Sequence, residues 1–351
     1  MEEGDVTGVD LGFMERDFDP WETQSRHFPS KIGGKPAWLD LAKLPPPKQQ
    51  QCPHCALPLT FLLQVYSPDN NSDSAFHRSM FVFLCLASPC WDQGKEPPVL
   101  VLRSQLSRSN PFYPWEPPEE RDGWREDIKA EAHGKLCAVC GCRADKTCAQ
   151  CKKADYCSEK HQRADWKAGH KSTCKGGGST ELPPKSSLLL PEGLIESEPE
   201  PKKGGKDDTG QNIDQYRDVM EGGGVTASPK ELEEVEAGQE EDAACEKFRL
   251  RVARAPDQVI RYERGGTPLL CTSSPALGAP PPCHLCKAPR IFELQVMPQL
   301  LFELKLGLDA DSCLDWGSIY IYSCSASCEA EGYTKEFVQL RQFSRMNLPA
   351  T

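Results

Sequence analysis

The sequence predicts a mainly β protein of the α+β class, built from two homologous modules with a small Cys/His unit and a polar linker inserted between them. An internal repeat is the first observation behind this. Cys52-Pro53-His54-Cys55, Pro58, Phe61, Leu63, Gln64 and Val65 return at a constant offset of 231 as Cys283-His284-Leu285-Cys286, Pro289, Phe292, Leu294, Gln295 and Val296. Gly33-Gly34-Lys35-Pro36 returns as Gly265-Gly266-Thr267-Pro268 at 232, and Ser79 to Cys85 as Ser318 to Cys324 at 239. Matches that keep their order while the offset drifts are what loop insertions leave behind. The second observation is the apolar pattern. Phe61 to Tyr66 and Phe292 to Met297 mix β-branched and aromatic residues over six positions, as strands do. The third is that helix-forming spacing is concentrated between the copies.

Residues 1–118 form the first module. Its Gly33-Gly34-x-Pro36 piece needs backbone angles that glycine tolerates, followed by the fixed φ of proline, as at a strand start or tight turn. Phe61–Tyr66 and Met80–Leu84 are its strand candidates, and Pro117-Pro118 ends it. Residues 133–175 hold the compact Cys/His unit. Residues 176–242 open with three glycines and are rich in Pro, Gly, Glu, Lys and Ser, so they lack the apolar surface to offset ordering entropy and are predicted to be disordered. Leu188–Leu190 and Ile213–Met220 are the two apolar interruptions there, candidate docking segments. The second module, 243–351, begins with a helix over 242–254 that stops before Pro256 and continues into strands, among them Ile319–Tyr322.

With 351 residues, each copy is long enough to hold a core. The net charge of −11 sits in the linker: residues 180–242 carry 17 acidic and 6 basic side chains, which leaves the modules near neutral. No run of eighteen apolar residues exists, so no membrane span is expected. The acidic start, Met1-Glu2-Glu3, does not read as a secretory signal. Eighteen cysteines in such a chain point to reduced thiols that hold metal rather than to disulfides.

Zinc takes four S or N ligands in a tetrahedron, and C-x2-C is the spacing at which one turn aims two thiolates at one ion. The central unit offers eight ligands in order: Cys137, Cys140, Cys148, Cys151, Cys157, His161, His170 and Cys174. Cys157/His161 and His170/Cys174 are each four apart, so each pair shares one face of a helical turn. Spacing alone permits both sequential and interleaved pairing. Each flanking module offers four more cysteines, Cys52, Cys55, Cys85 and Cys90 in the first and Cys283, Cys286, Cys324 and Cys328 in the second. Recurrence in order favours a metal staple there. The rival readings are buried thiols, or a site in which His54, His77 or His284 replaces one of them. Cys142, Cys245, Cys271 and Cys313 fit no site.

Four ligands per ion close a site, and closed sites are structural. No nucleophile elbow, phosphate loop, dinucleotide fingerprint or H-E-x-x-H run occurs, so the chain is expected not to be an enzyme. Lysines cluster in the central unit, yet the whole chain is acidic with a pI near 5.3, which argues against nucleic acid as a partner.

At its eight ligands, and at Tyr156-Cys157-Ser158, His161-Gln162, Asp165-Trp166 and His170-Lys171, the central unit resembles a MYND-type zinc finger. The resemblance implies cross-braced ligation, with Cys137, Cys140, Cys157 and His161 on one ion and Cys148, Cys151, His170 and Cys174 on the other. It also implies that Gln162 and Trp166 line a surface for proline-rich peptides. MYND fingers also interrupt SET methyltransferases, but neither flank carries an Asn-His-Ser cofactor motif.

The whole arrangement resembles the programmed cell death protein 2 family. The match runs from Leu11-Gly12-Phe13 and Phe28 to Trp38, through Phe76-His77-Arg78 and Ile260-Arg261-Tyr262, to Asp315-Trp316-Gly317 and Gly332 to Val338. It implies one β domain made by both copies, with the finger and linker as an excursion. The ligand count itself predicts two zinc ions in the finger and one in each flanking module. The resemblance further implies a non-enzymatic, dedicated chaperone of a basic ribosomal protein of the small (40S) subunit, universal small-subunit protein number five, acting in cytoplasm and nucleus. The alternative is an adaptor that binds proline-rich segments of transcriptional corepressors, with a role in cell death or proliferation. On the chaperone reading, exposed strand edges are expected to pair with the client.

Overall fold

The computed structural model describes residues 6–92, 96–176, 188–201, 243–273, 275–306 and 314–342. Most of the acidic linker, including Ile213–Met220, lies outside the described residues, as does Cys313. The first copy contributes β1 (Val6–Glu15), β2 (Lys31–Ile32), β3 (Thr60–Tyr66), β4 (His77–Leu84) and β5 (Val99–Leu106). The finger follows with β6 (Lys146–Thr147), β7 (Asp155–Tyr156), α1 (Glu159–Asp165) and α2 (Lys171–Gly176), then β8 (Gly193–Pro201). The remainder is α3 (Ala243–Val252), β9 (Ile260–Tyr262), β10 (Arg290–Val296), α4 (Gln299–Glu303), β11 (Ser318–Cys324), β12 (Tyr333–Lys335) and β13 (Phe337–Arg341).

Eleven strands form one barrel-like sheet in the order β12-β5-β4-β3-β2-β8-β1-β9-β10-β11-β13, and β6-β7 is a separate ribbon in the finger. The repeat is visible down to individual hydrogen bonds. Gln64 on β3 receives the Ala37 N–H at 2.8 Å and donates to Ala37 O at 3.2 Å; Gln295 on β10 does the same to Leu269 at 3.1 and 2.9 Å. Both β3–β4 and β10–β11 carry a register shift at the same repeat position, between Phe61 and Leu63 and between Phe292 and Leu294. A bulge re-aims the extra side chain. In the first copy that residue is the buried Leu62, and in the second it is Glu293.

At the centre of the sheet the copies exchange strands. β1 pairs with β9 of the second copy, β8 pairs with β2 of the first, and β1 and β8 pair with each other over Asp10–Glu15. Residues 193–201 therefore correct the disorder expected over 176–242. The strand is polar, but its backbone is paired on both sides near Gly193–Ile195, where Ile195 N–H also donates to Ser30 O at 2.9 Å. Its buried Glu200 accepts hydrogen bonds from Arg251 of α3, from Arg261 at 2.7 Å and from Thr7 at 2.8 Å. Gly33 (φ 59°) and Gly34 (φ 64°) turn the chain beside it; a Cβ at Gly33 would stand 2.0 Å from Pro191 O.

The barrel closes through one short segment. β12 pairs with β5 and β13 with β11, and only Glu336 separates β12 from β13. The Glu336 N–H donates to Val101 O at 2.9 Å, and its carboxylate accepts from Arg103 of the first copy at 2.8 Å and from Arg290 of the second at 3.0 Å. A second buried pair, Arg78–Glu293 (2.5 and 2.6 Å), crosses between the copies with both side chains fully buried.

The finger is docked on the barrel and is no loose excursion. Trp38 Nε1 donates to Gly141 O at 2.8 Å, Lys35 Nζ to Ala138 O at 3.0 Å and Gln50 Nε2 to Cys142 Sγ at 3.6 Å. Trp38, Val139, Cys142 and the strand side chains of both copies belong to one apolar core.

Candidate metal centres

Four turns of one design carry the C-x2-C pairs. In each, the N–H four residues on donates to the first cysteine's carbonyl: Ala56 to Cys52 at 3.0 Å, Gly141 to Cys137 at 2.9 Å, Lys152 to Cys148 at 2.9 Å, and Lys287 to Cys283 at 3.0 Å. That fifth residue lies in the left-handed region in all four turns, with φ of 56° at Ala56, 70° at Gly141, 57° at Lys152 and 65° at Lys287. Such a turn aims both thiols and the intervening N–H groups into one space. Burial pushes the Cys283 thiol up, but the Cys286 and Leu285 N–H groups and the Cys328 thiol outweigh it and bring it down to about 7. Cys148 sits at about 6, where burial is outweighed by the Cys151 N–H and by His170.

The turns meet their remaining ligands in four groups: Cys52, Cys55, Cys85 and Cys90; Cys137, Cys140, Cys157 and His161; Cys148, Cys151, His170 and Cys174; Cys283, Cys286, Cys324 and Cys328. Within each group the ligand atoms lie inside 4.8 Å of one another. The finger's two groups interleave along the chain, the cross-braced arrangement. Sγ–Sγ separations are 3.7 Å for Cys55–Cys85, Cys140–Cys157 and Cys283–Cys328, 3.8 Å for Cys148–Cys174 and 3.5 Å for Cys286–Cys324. A disulfide would hold sulfurs about 2.05 Å apart. A tetrahedron with Zn–S of about 2.3 Å has an edge of about 3.8 Å. The donor sets and spacings therefore fit zinc in all four groups.

Local chemistry explains how each ligand is presented. Ser158 caps α1 by accepting the His161 N–H at 3.1 Å, which places His161 on the inner face with Nδ1 3.6 Å from Cys137 Sγ. His170 instead turns Nε2 to Cys148 and Cys151, at 3.5 Å each. The three histidines weighed as substitute ligands lie elsewhere. His54 Nε2 contacts Glu96 O, His284 contacts Arg290 and Thr334, and His77 stacks on Phe28 with ring centroids 4.4 Å apart. Cys142 is buried under the first finger turn against Gln50, and Cys271 is buried beside the Tyr320 hydroxyl at 3.7 Å. Gln162 and Trp166 are half-buried and flank a shallow cleft with Gln150, Arg163 and Lys167; the Trp166 ring meets His170 edge-on at 5.8 Å.

Three family profiles cover the chain: "Programmed cell death protein 2, N-terminal domain" over residues 8–120, "MYND finger" over 137–174, and "Programmed cell death protein 2, C-terminal putative domain" over 242–342. "Programmed cell death protein 2" of Rattus norvegicus is 41% identical over 342 residues, which span 94% of this chain and 95% of that protein. The chain belongs to the programmed cell death protein 2 family. A second branch of that family, "Programmed cell death protein 2-like" of Homo sapiens, is 26% identical with 85% of each chain covered. "Probable 20S rRNA accumulation protein 4" of Schizosaccharomyces pombe is 35% identical over 130 residues, 31% of this chain and 32% of that protein. No solved structure matches the chain. All sixteen ligands fall within or between the segments that define the family. Sequence reading missed the ion pairs that join the copies, because Arg78 and Glu293 stand 215 residues apart and only the fold brings them together.

Proposed function

We propose that the chain is a non-enzymatic, zinc-binding protein of small-subunit ribosome biogenesis, and that it is a dedicated chaperone of one basic 40S protein, universal small-subunit protein number five. The observation that carries the ribosomal reading is the likeness to a family whose fission-yeast relative is named for 20S rRNA accumulation. The four closed cysteine and histidine groups support a structural use of metal, since none leaves a position for a substrate. The outward face of β8 supports a basic client, because Glu196 and Glu198 are exposed on it and the segment that follows is acidic. Complementary charge gives steering and selectivity towards such a client. Strand addition, expected from the sequence, is a second way to hold the client, since the terminal strands β12 and β13 are each paired on one side. Cytoplasm and nucleus are the compartments this role requires.

Affinity purification of the full chain followed by mass spectrometry tests the proposal. A small-subunit protein recovered in near-stoichiometric amount is the expected result, and its absence in the presence of corepressors would replace the chaperone with the adaptor. The adaptor reading keeps one structural support, the cleft between Gln162 and Trp166. A Trp166→Ala chain that retains its zinc and every proline-rich partner would remove it.

A further inference from the structure

The sequence treats the two flanking cysteine groups as equivalent staples, one per module. Their surroundings differ. Cys286 is exposed, whereas every other ligand in the four groups is buried or half-buried. The loop that supplies Cys324 and Cys328 is also held by the other copy. Arg103 of β5 donates through Nη1 to Cys328 O at 3.0 Å, and its Nη2 lies 3.7 Å from Cys328 Sγ. Gln105, two residues along β5, donates to Ser327 O at 2.8 Å, and the Ser327 hydroxyl lies 3.3 Å from Asp69 of the first copy. On the other side, His284 Nε2 meets Thr334 Oγ1 of β12 at 3.4 Å. Cys328, β5 and β12 thus form one bonded unit at the line where the barrel closes.

The strand pairing along that line is short, and side chains of Glu336, Tyr333 and Lys335 supplement it. β12 and β5 share three paired positions: Tyr333 with Ser104, Thr334 with Arg103, and Lys335 with Leu102. Arg103 is fully buried and divides its guanidinium between Glu336 and the Cys328 loop. Four thiolates around a divalent ion leave a net charge of −2, which a buried guanidinium stabilises. Without the ion nothing draws Cys324 and Cys328 to the Cys283–Cys286 turn, and the loop that Arg103 and Gln105 hold is freed at one end. The amino-terminal group is shielded by comparison: Trp91, next to Cys90, stacks on Trp316 of the second copy at 5.7 Å, and Cys52, Cys85 and Cys90 are all buried.

We propose that the Cys283/Cys286/Cys324/Cys328 group is an exchangeable metal site that clasps the barrel: its occupancy holds the β5–β12 seam shut, and its ion leaves before the other three. The site would take a thiophilic divalent cation, zinc first, and return it to competing thiol or chelator. This rests on the family-level reading of the cysteine groups and not on the identity of any client.

The test uses the full zinc-loaded chain and a chromophoric chelator, 4-(2-pyridylazo)resorcinol, with hydrogen exchange read by mass spectrometry in parallel. One of the four ions is expected to transfer in a separate fast phase. During that phase amides in 99–106 and 333–341 should exchange at least about tenfold faster, while those in 137–174 keep their protection. Cys286→Ser should abolish the fast phase and leave the slower ones. A fast phase that persists in Cys286→Ser, or increased exchange confined to 283–290, would overturn the proposal. The exchange measurement on the unmodified chain stands even if that variant fails to fold.

Discussion

At the scale of single residues, the decisive groups are charged and buried. Glu293 occupies the bulge position that Leu62 fills in the other copy, and its carboxylate meets Arg78 and Ser323. Burial alone would raise its pKa, but the Arg78 charge and the hydrogen bonds outweigh it and hold the group below the usual carboxylate range. Its stabilising contribution is therefore present above the unfolded carboxylate pKa and is lost as pH falls through the lower folded value. Glu293→Gln leaves a buried guanidinium without its anion and should cost about 3–5 kcal/mol, read from urea unfolding. A double replacement, Arg78→Met with Glu293→Leu, should recover most of that loss, because repair with apolar volume is near neutral. His77 acts in the same direction, in a higher pH window. Burial and the nearby Arg108 charge lower it to about 4, so the folded state must lose stability as pH drops from about 6.5 towards 4, where the unfolded chain binds the proton and the folded one does not. In His77→Phe the melting temperature should fall less steeply with pH across that window, at the cost of the 3.0 Å bond from Tyr66. An unchanged pH profile would refute the assignment.

At the scale of elements, the strands of each copy were legible because apolar runs and the C-x2-C turns are local signals. Phe61–Tyr66 and Phe292–Met297 became β3 and β10 within two residues of the expected limits. The ligand sets were legible for the same reason: four left-handed turns need only five residues each to present a pair of thiols. β8 was not, since Glu196, Glu198 and Glu200 look like linker and its stability comes from partners far along the chain. A signal did exist. Gly12-Phe13-Met14-Glu15 with Asp17, Asp19 and Pro20 matches Gly193-Leu194-Ile195-Glu196 with Glu198, Glu200 and Pro201 at an offset of 181. Its offset differs from 231 because the long insertion follows this strand instead of preceding it. β8 is thus the second copy's counterpart of β1, which explains why the two lie side by side as partners. Ile195→Pro removes the N–H that reaches Ser30 O and should cost about 3 kcal/mol or more. Its signature would be loss of amide protection in both β1 and β2; protection lost in neither would mean that β8 is dispensable.

At the scale of the whole molecule, three observations describe one cooperative body: a core shared by both copies and the finger, ion pairs that cross between the copies, and four metal groups that each gather distant turns. Elemental analysis of chelator-free protein should find about four zinc ions per chain, one for each group, and exhaustive removal should unfold the finger outright, since such sites contribute about 10–16 kcal/mol in small fingers. A native-like far-ultraviolet spectrum in fully metal-free protein would contradict this. The reciprocal pairing of β1 with β9 and of β8 with β2 also means that neither half can complete its own sheet.

The nine-residue stretch from Tyr333 to Arg341, which joins the two ends of the sheet, holds the last strands among the described residues and leaves a translating ribosome after β1 to β11. Until then the nascent polypeptide presents β5 and β11 with bare backbone donors and acceptors, each able to template intermolecular pairing. A premature stop codon near position 330 would make that transient state permanent. Such a truncation, although it deletes under a tenth of the chain, should send the product into aggregates rather than yield a slightly shortened, working molecule.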